Sequence, residues 1–126
     1  MFKFLATIGF IFLFSQIALS QQWIYGKWEG QGRETSDGLT WTMELHARRG
    51  KFIIKYPSLK CSGEWKLVSF NKTSARFREN IKFNRRACEP TGNVTIKRLK
   101  GDQLMFNYSY NRSRRLEASA ILRRKK

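Results

Sequence analysis

The sequence predicts an all-β domain, a single small antiparallel barrel or curled sandwich of about eight strands. Short runs of alternating apolar and polar residues recur along the chain, and turn residues separate them at close intervals. No segment keeps a 3.6-residue apolar period, as a surface helix would. Hairpin-linked strands in this number favour closure, because a closed barrel leaves no exposed sheet edge. A calycin-like barrel is one form of this architecture.

Residues 1–20 are typical of a signal peptide. Lys3 is their only charge, an apolar run extends from Phe4 to Phe14, and small residues follow at Ala18 and Ser20. An uncleaved membrane anchor is the alternative interpretation. We therefore expect an exported protein, periplasmic or extracellular, with one domain at residues 21–126 and a disordered basic tail at 123–126.

The strands follow in order from this starting point. The first covers residues 23–33, where three glycines suggest a bend or bulge. Residues 39–47 form the clearest strand, with Leu39, Trp41, Met43, Leu45 and Ala47 on one face. A short hairpin at 48–50 leads to the strand that presents Phe52, Ile54 and Tyr56, and Pro57 ends it because proline cannot donate to the ladder.

The second half of the chain repeats the pattern. Strands are expected from Cys61, from Ala75, from Asn93 and from Gln103, with a loop at 84–92. The inward positions of the first two are Cys61, Gly63, Trp65, Leu67, Ala75, Phe77, Glu79 and Ile81. The last segment, residues 114–124, has helical propensity, but Leu116, Ala118, Ala120 and Leu122 alternate, and the sheet needs a closing strand.

Two cysteines remain after the leader, Cys61 and Cys88. In an exported protein an even pair predicts one disulfide. It would close a loop of about 28 residues and contribute roughly 3–4 kcal/mol of stability. Free thiols or a metal pair are the alternatives, but the chain has one histidine and no Cys-x-x-Cys spacing.

The charge is strongly basic and unevenly distributed. Residues 21–47 carry two cations and four carboxylates, whereas residues 48–126 carry 22 cations and five carboxylates. Such an excess attracts anionic polymers, acidic membrane surfaces, acidic proteins or nucleic acid without choosing among them. A merely soluble, highly charged surface is the alternative.

Three consecutive strands present cations at their outward positions, which suggests a basic face that binds an anionic partner. We call these seven residues the cationic set: Lys51, Lys55, Lys60, Lys66, Arg76, Arg78 and Lys82. Nucleic acid is not favoured as the partner, because the aromatic residues that would stack on bases occupy the inward positions.

One carboxylate, Glu79, shares its strand face with Phe77 and Ile81 and should therefore point inward. A buried carboxylate needs partners, and we expect an arginine or backbone amides to supply them. Together with Tyr56 and Trp41 it could line a small pocket. The alternative is a structural polar group that ties strands together.

The residues for catalysis are sparse, and we expect no enzyme, no metal and no cofactor. His46 is the single histidine and lies with Glu44 on the polar face of a strand. The chain has no strand–turn–helix nucleophile motif and no glycine loop for phosphate.

Several strings together resemble a family of bacterial exported domains. They are GKWEGQG, YPSLKCSGEWKLVS, FRENI and a second cysteine before GNVTIKRL. Similar domains look to occur both as secreted proteins and at the extracellular ends of bacterial serine/threonine kinases. The resemblance covers most of residues 26–99 and rests on Gly26, Trp28, Gly30, Tyr56, Pro57, Leu59, Cys61, Gly63, Glu79 and Cys88. It implies a β-rich extracytoplasmic domain with one disulfide, and neither a ligand nor an activity.

Three functions are compatible with these observations. The first is a non-enzymatic exported binding module for an envelope polymer, an acidic lipid surface or an acidic protein. The second is a barrel that carries a small ligand, since eight strands enclose just enough space for one. The third is an inhibitor or neutraliser of a secreted acidic enzyme or toxin, because a cationic protein suits an acidic target.

Overall fold

A computed structural model describes residues 22–110 and 115–126 of the chain. The predicted signal peptide lies outside these residues. Within the described ranges there are two short 3-10 helices, Gln22–Ile24 and Pro57–Leu59. The strands are β1 (Gly26–Glu34), β2 (Thr40–Arg48), β3 (Lys51–Tyr56), β4 (Cys61–Phe70), β5 (Ser74–Phe83), β6 (Thr91–Leu99), β7 (Gln103–Ser109) and β8 (Ala118–Arg124).

The eight strands form one closed antiparallel barrel in which each strand pairs with its neighbours in sequence and β8 pairs with β1. The predicted all-β class is thus confirmed, and of its two forms the closed barrel is the one adopted. Eight strands enclose an interior just wide enough for side chains or one small ligand. Within the described residues, no helix has the length and hydropathy that crossing a bilayer requires.

The barrel interior is filled by the inward residues of the alternating strands. Met43, Leu45, Ile54, Phe77 and Ile81 are fully buried, as their alternation predicts. Two predicted inward residues lie outside the core, because their strands begin later than expected: Leu39 is 63% exposed and Leu116 is 45% exposed. Leu67 is only half-buried, since a bulge between Leu67 and Ser69 shifts the register of β4 against β5.

One end of the barrel is closed by the first 3-10 helix. Trp28 donates its indole N–H to the carbonyl of Ile24 at 2.9 Å, and Trp23 stacks on Phe70 with ring centroids 6.2 Å apart. Arg124 lies 4.1 Å over the Trp28 ring and donates to the carbonyl of Tyr25 at 2.7 Å. We call this the closed end.

At the closed end, the structure also corrects the prediction of a disordered C-terminal tail. Residues 123–126 were expected to be disordered, yet Arg123 and Arg124 belong to β8 and pair with β1. Lys125 continues the contact, donating its backbone N–H to Lys27 at 2.8 Å and its ammonium to Glu44 at 3.3 Å. The physical reason is that closure requires β1 to have a partner along its length.

The predicted disulfide between Cys61 and Cys88 is confirmed. It joins the first residue of β4 to the loop between β5 and β6. A disulfide is typical of proteins that fold in an oxidising, exported environment.

Candidate functional site

The opposite end of the barrel is open, and we call it the mouth. Antiparallel order places the connections β1–β2, β3–β4, β5–β6 and β7–β8 at this same end. Between them lies a cavity of about 340 Å³. Pockets for small ligands begin at about 300 Å³. The cavity is therefore large enough for a compact molecule.

Glu79 reaches the cavity from β5, where its cross-strand partners are Trp65 on β4 and Gly92 on β6. The residue is only 4% exposed. Its Oε1 accepts a hydrogen bond from the Tyr56 hydroxyl and another from the Trp65 indole N–H, the latter at 3.0 Å. The predicted inward orientation holds, but the partners are aromatic donors and not the arginine or backbone amides that we expected.

Burial raises the pKa of the Glu79 carboxyl, and the hydrogen bonds from Tyr56 and Trp65 oppose that effect without cancelling it. Burial, followed by the nearby Glu79 charge, also raises the pKa of the Tyr56 hydroxyl well above its usual range. The Tyr56 hydroxyl therefore stays protonated and remains a hydrogen-bond donor at physiological pH. The site thus contains one buried carboxyl, Glu79, and ionising it inside the barrel costs free energy.

Aromatic rings form the walls of the cavity. Trp41 meets Tyr56 edge to face at a centroid distance of 5.4 Å and Phe106 at 6.0 Å, and Tyr108 stacks beside Phe106 at 6.4 Å. Edge-to-face and stacked arrangements at these distances are the ones that aromatic pairs prefer. The walls consequently present apolar surface with aromatic π-faces.

Two glycines make room for these rings. A Cβ on Gly32, which is the cross-strand partner of Trp41, would lie 2.0 Å from the Trp41 ring. A Cβ on Gly92 would lie 2.3 Å from the Tyr108 ring, whose hydroxyl donates to the carbonyl of Thr91 at 3.2 Å. One of the three glycines that suggested a bend, Gly32, therefore makes room for the Trp41 ring in the wall of the mouth.

Carboxylates form the rim. Glu34, Glu89 and Glu117 line the cavity together with Glu79. Partial burial, and then the Asp37 carboxylate beside it, raises the pKa of Glu34. Four of the nine acidic residues in the chain thus line one cavity.

The disulfide holds one side of this rim. Cys88 lines the cavity, and Glu89 follows it directly. Ile81 donates its backbone N–H to the carbonyl of Pro90 at 2.9 Å, which ties the far side of the same loop to β5. The loop that carries Glu89 is thereby fixed at both sides.

All three residues that the sequence assigned to a pocket, Trp41, Tyr56 and Glu79, line this one cavity. The sequence reasoning missed Phe106, Tyr108 and the rim carboxylates. A signal for the rim was nevertheless present, because Glu34, Asp37, Glu89 and Glu117 all fall in or beside connections that alternate along the chain. In an up-and-down barrel, alternate connections share one end.

The cationic set lies outward as predicted, and each of its seven members is exposed. It does not form one continuous row. Lys66 and Arg78 are direct cross-strand partners, and Arg76 lies two residues from Arg78 on the same face. Lys55 instead pairs with Glu44 and Ser62.

The other members of the cationic set occupy turns or irregular positions. Lys51 pairs with Arg48 beside the β2–β3 turn, and Lys82 lies at the bulge between β4 and β5. Lys60 ends the second 3-10 helix in a left-handed conformation with φ of 58°. The centre of the predicted face is therefore the group Lys66, Arg76 and Arg78.

His46 lies on the outer surface of β2, half-exposed. Partial desolvation, and then the charges of Arg48, Lys27 and Lys55, lowers the pKa of its imidazole. The residue belongs to the cationic exterior and does not line the mouth.

A second depression, of about 410 Å³, lies at the closed end between the β6–β7 hairpin and Arg124. Its charged residues are exposed, and two of them, Asp102 and Arg124, form an ion pair at 2.7 Å. This groove reaches no buried titratable group among the described residues, so we regard the mouth as the better candidate site.

Across residues 22–110 and 115–126, no three histidine, cysteine, aspartate or glutamate side chains are grouped so that they could hold a metal ion. Comparison of the chain with protein-family models, curated proteins and solved structures finds no match. The site therefore has to be interpreted from its own geometry.

Proposed function

We propose that this protein is an exported, non-enzymatic barrel that binds a small molecule in its mouth. The observation that carries the proposal is the cavity of about 340 Å³ that is walled by aromatic rings and reaches the buried Glu79. Aromatic walls combined with placed polar groups are the usual composition of a ligand site. Up-and-down barrels of eight strands hold single small ligands in other proteins, which is an analogy of fold alone.

The polar groups support binding more than catalysis. The neighbours of the Glu79 carboxyl are a tyrosine hydroxyl and a tryptophan indole, both neutral donors. Nucleophilic catalysis requires a nucleophile and a base that activates it, and His46 lies on the outer surface. The disulfide is consistent with a periplasmic or extracellular location, which we include in the proposal.

Filling the mouth tests this function. Ala118 lines the cavity and is buried, so Ala118→Phe should occupy it, whereas Ile121→Phe changes an exposed position of the same strand. Fragment screening by NMR on the mature protein should shift the indole signal of Trp41 in the parent and in Ile121→Phe, and not in Ala118→Phe. Absence of any fragment that shifts mouth resonances in the parent would contradict the proposal.

A second candidate function is attachment to an anionic partner: an envelope polymer, an acidic lipid surface or an acidic protein. The observation that favours it is the direct pairing of Lys66 with Arg78 on the exposed surface, with Arg76 beside them. Two cations in cross-strand positions repel each other, and an anionic partner would relieve that repulsion. An inhibitor of a secreted acidic protein would use the same surface.

Vesicle binding tests this second function. Binding to vesicles of an anionic phospholipid should fall steeply as salt rises from about 0.05 M to about 0.3 M, because screening shortens the reach of the charges. Lys66→Gln with Arg78→Gln should weaken it more than the matched pair Arg123→Gln with Lys126→Gln at the closed end. An equal effect of the two pairs would mean that net charge alone governs adsorption.

A further inference from the structure

We propose that the ligand of the mouth is a small organic cation, an amine or quaternary ammonium compound with a compact apolar body. This inference rests on the proposed function and specifies its ligand class. Three independent features of the mouth support it: the carboxylates that line the cavity, the free oxygen of Glu79 and the aromatic walls.

The charged residues that line the cavity have the opposite sign to the net charge of the whole chain. The cavity is lined by four carboxylates and, among the described residues, by no lysine or arginine. Yet the whole chain carries 25 basic and nine acidic residues. A cleft lined by charge of one sign concentrates counter-ions of the other sign, because its low-dielectric walls focus the field. The four lining carboxylates therefore favour a cation inside the cavity, although the protein as a whole repels cations.

Glu79 provides a specific acceptor at the base of the cavity. Both of its hydrogen bonds end on Oε1, and no hydrogen bond to Oε2 occurs among the described residues. In the same part of the chain no fully buried side-chain oxygen lacks a partner. Since Glu79 lines the cavity, Oε2 retains access to it and can accept a hydrogen bond from an ammonium N–H or face a quaternary centre.

The aromatic walls suit the same ligand. Trp41, Tyr56, Phe106 and Tyr108 surround the approach to Glu79, and Tyr110 meets Tyr108 edge to face at 5.9 Å near the rim. The face of an aromatic ring is electronegative and attracts a cation within about 6 Å of the ring centroid. A cage of rings with a carboxylate at its base therefore binds the charged head and the apolar body of such a ligand together.

Occupancy should depend on pH through Glu79. The titratable groups around it are Tyr56 from β3, Tyr108 from β7, and Glu34, Glu89 and Glu117 from the rim. Burial raises the pKa of both tyrosine hydroxyls, so they stay neutral while the carboxyls ionise. A bound cation favours the ionised carboxylate. Affinity should thus rise with pH until Glu79 is fully ionised.

The test compares ligands that differ only in charge. Benzylammonium, benzyl alcohol and benzoate form one matched series, and choline with its neutral carbon analogue 3,3-dimethylbutanol forms a second. Each is titrated into the mature protein by calorimetry, with NMR to locate the contact. We expect the cation of each series to bind about tenfold or more tightly than its neutral counterpart, and benzoate not to bind.

Variants assign the selectivity to Glu79. Glu79→Gln keeps an acceptor for Tyr56 and Trp65, so it should weaken binding of the cations about tenfold and leave the neutral compounds unchanged. Glu64→Gln makes the same charge change at an exposed position of β4 and should alter neither. Should Glu79→Gln fail to fold, the rim variant Glu89→Gln with Glu117→Gln replaces it, with the same expected direction.

The outcomes separate this inference from the proposed function. Equal or tighter binding of benzyl alcohol or benzoate at the mouth would overturn the cation preference and leave the small-ligand barrel intact. No mouth binding by any of the five compounds would overturn the inference and count against the barrel function as well. Cation affinity that falls with rising pH would also overturn it, because ionisation of Glu79 must strengthen the interaction.

Discussion

At the scale of single residues, Glu79 decides the character of the interior. It lies between Trp65 and Gly92 on neighbouring strands, so the Trp65 indole can reach its carboxyl while the missing side chain of Gly92 leaves space for the Tyr108 ring. Burying an ionised carboxylate is expensive unless it is fully hydrogen-bonded. A neutral glutamine amide would serve a purely structural role equally well. The carboxylic acid at this position therefore points to a function for its charge.

Replacing Glu79 by glutamine should make stability less dependent on pH. Since the folded pKa of Glu79 lies above its ordinary value of 4.5, its contribution is full below that value and is lost as pH rises through the folded pKa. Denaturant unfolding at acidic and neutral pH should therefore show Glu79→Gln gaining on the parent as pH rises. Parallel curves for the two proteins would contradict this, and Glu64→Gln is the matched control.

Gly32 gives a second prediction at this scale. Gly32→Ala places a methyl group at 2.0 Å from the Trp41 ring, so the ring must move and the wall of the mouth must change. We expect a loss of about 1–3 kcal/mol in the free energy of unfolding, together with a changed Trp41 indole signal. Gln31→Ala, at the neighbouring exposed position, should leave both unchanged.

At the scale of elements, the strands were predictable because each has one buried face. A strict alternation such as that of β3 or β5 admits only one pairing register, and short turns leave only neighbouring strands as partners. What the sequence could not supply was the bulge near Leu67 and the first 3-10 helix, which depend on contacts with distant residues such as Asn71 and Arg124.

The candidate site was predictable from the sequence to a similar extent. The alternation of residues along each strand predicted that Trp41, Tyr56 and Glu79 point into the barrel. It does not predict which end of the barrel is open. The hydrogen-bond partners of Glu79 were missed because charge statistics favoured arginine, whereas the cross-strand register supplies tryptophan and the core supplies tyrosine.

The disulfide joins two elements of the mouth, and its removal should affect both stability and binding. We expect Cys61→Ser with Cys88→Ser to lower the free energy of unfolding by roughly 3–4 kcal/mol, through greater freedom of the unfolded chain. Cation affinity should fall as well, because the loop with Glu89 loses one attachment. Calorimetry and denaturant unfolding measure the two effects, and unchanged affinity would show that the contact of Ile81 with Pro90 is sufficient.

At the scale of the whole molecule, the cavity and the cationic centre occupy different surfaces. Carboxylates line the cavity, whereas Lys66, Arg76 and Arg78 are exposed on the outer surface of β4 and β5. Such a protein should approach an anionic surface with the outer surface of β4 and β5. The mouth would then remain accessible.

Hydrogen exchange measures this orientation. On vesicles of anionic phospholipid, the backbone amides of the β4–β5 turn, residues 71–73, should gain protection, and those of the β1–β2 turn at the mouth should not. Adsorption through the mouth, seen as protection of residues 34–39, would contradict the cationic centre as the cause of orientation. High salt should abolish the protection, since exposed charges are screened.

The pairing of β8 with β1 closes the barrel into a continuous ring of hydrogen-bonded strands. The Lys125 backbone N–H donates to the Lys27 carbonyl, and the Arg124 guanidinium donates to the Tyr25 carbonyl. The two ends of the domain therefore lie side by side. A short linker from residue 126 to residue 22 would therefore span the gap, and the chain could be cut instead at the exposed turn beside Gly50. Such a circular permutant should fold to the same barrel, with the mouth, its disulfide and its ligand preference unaltered.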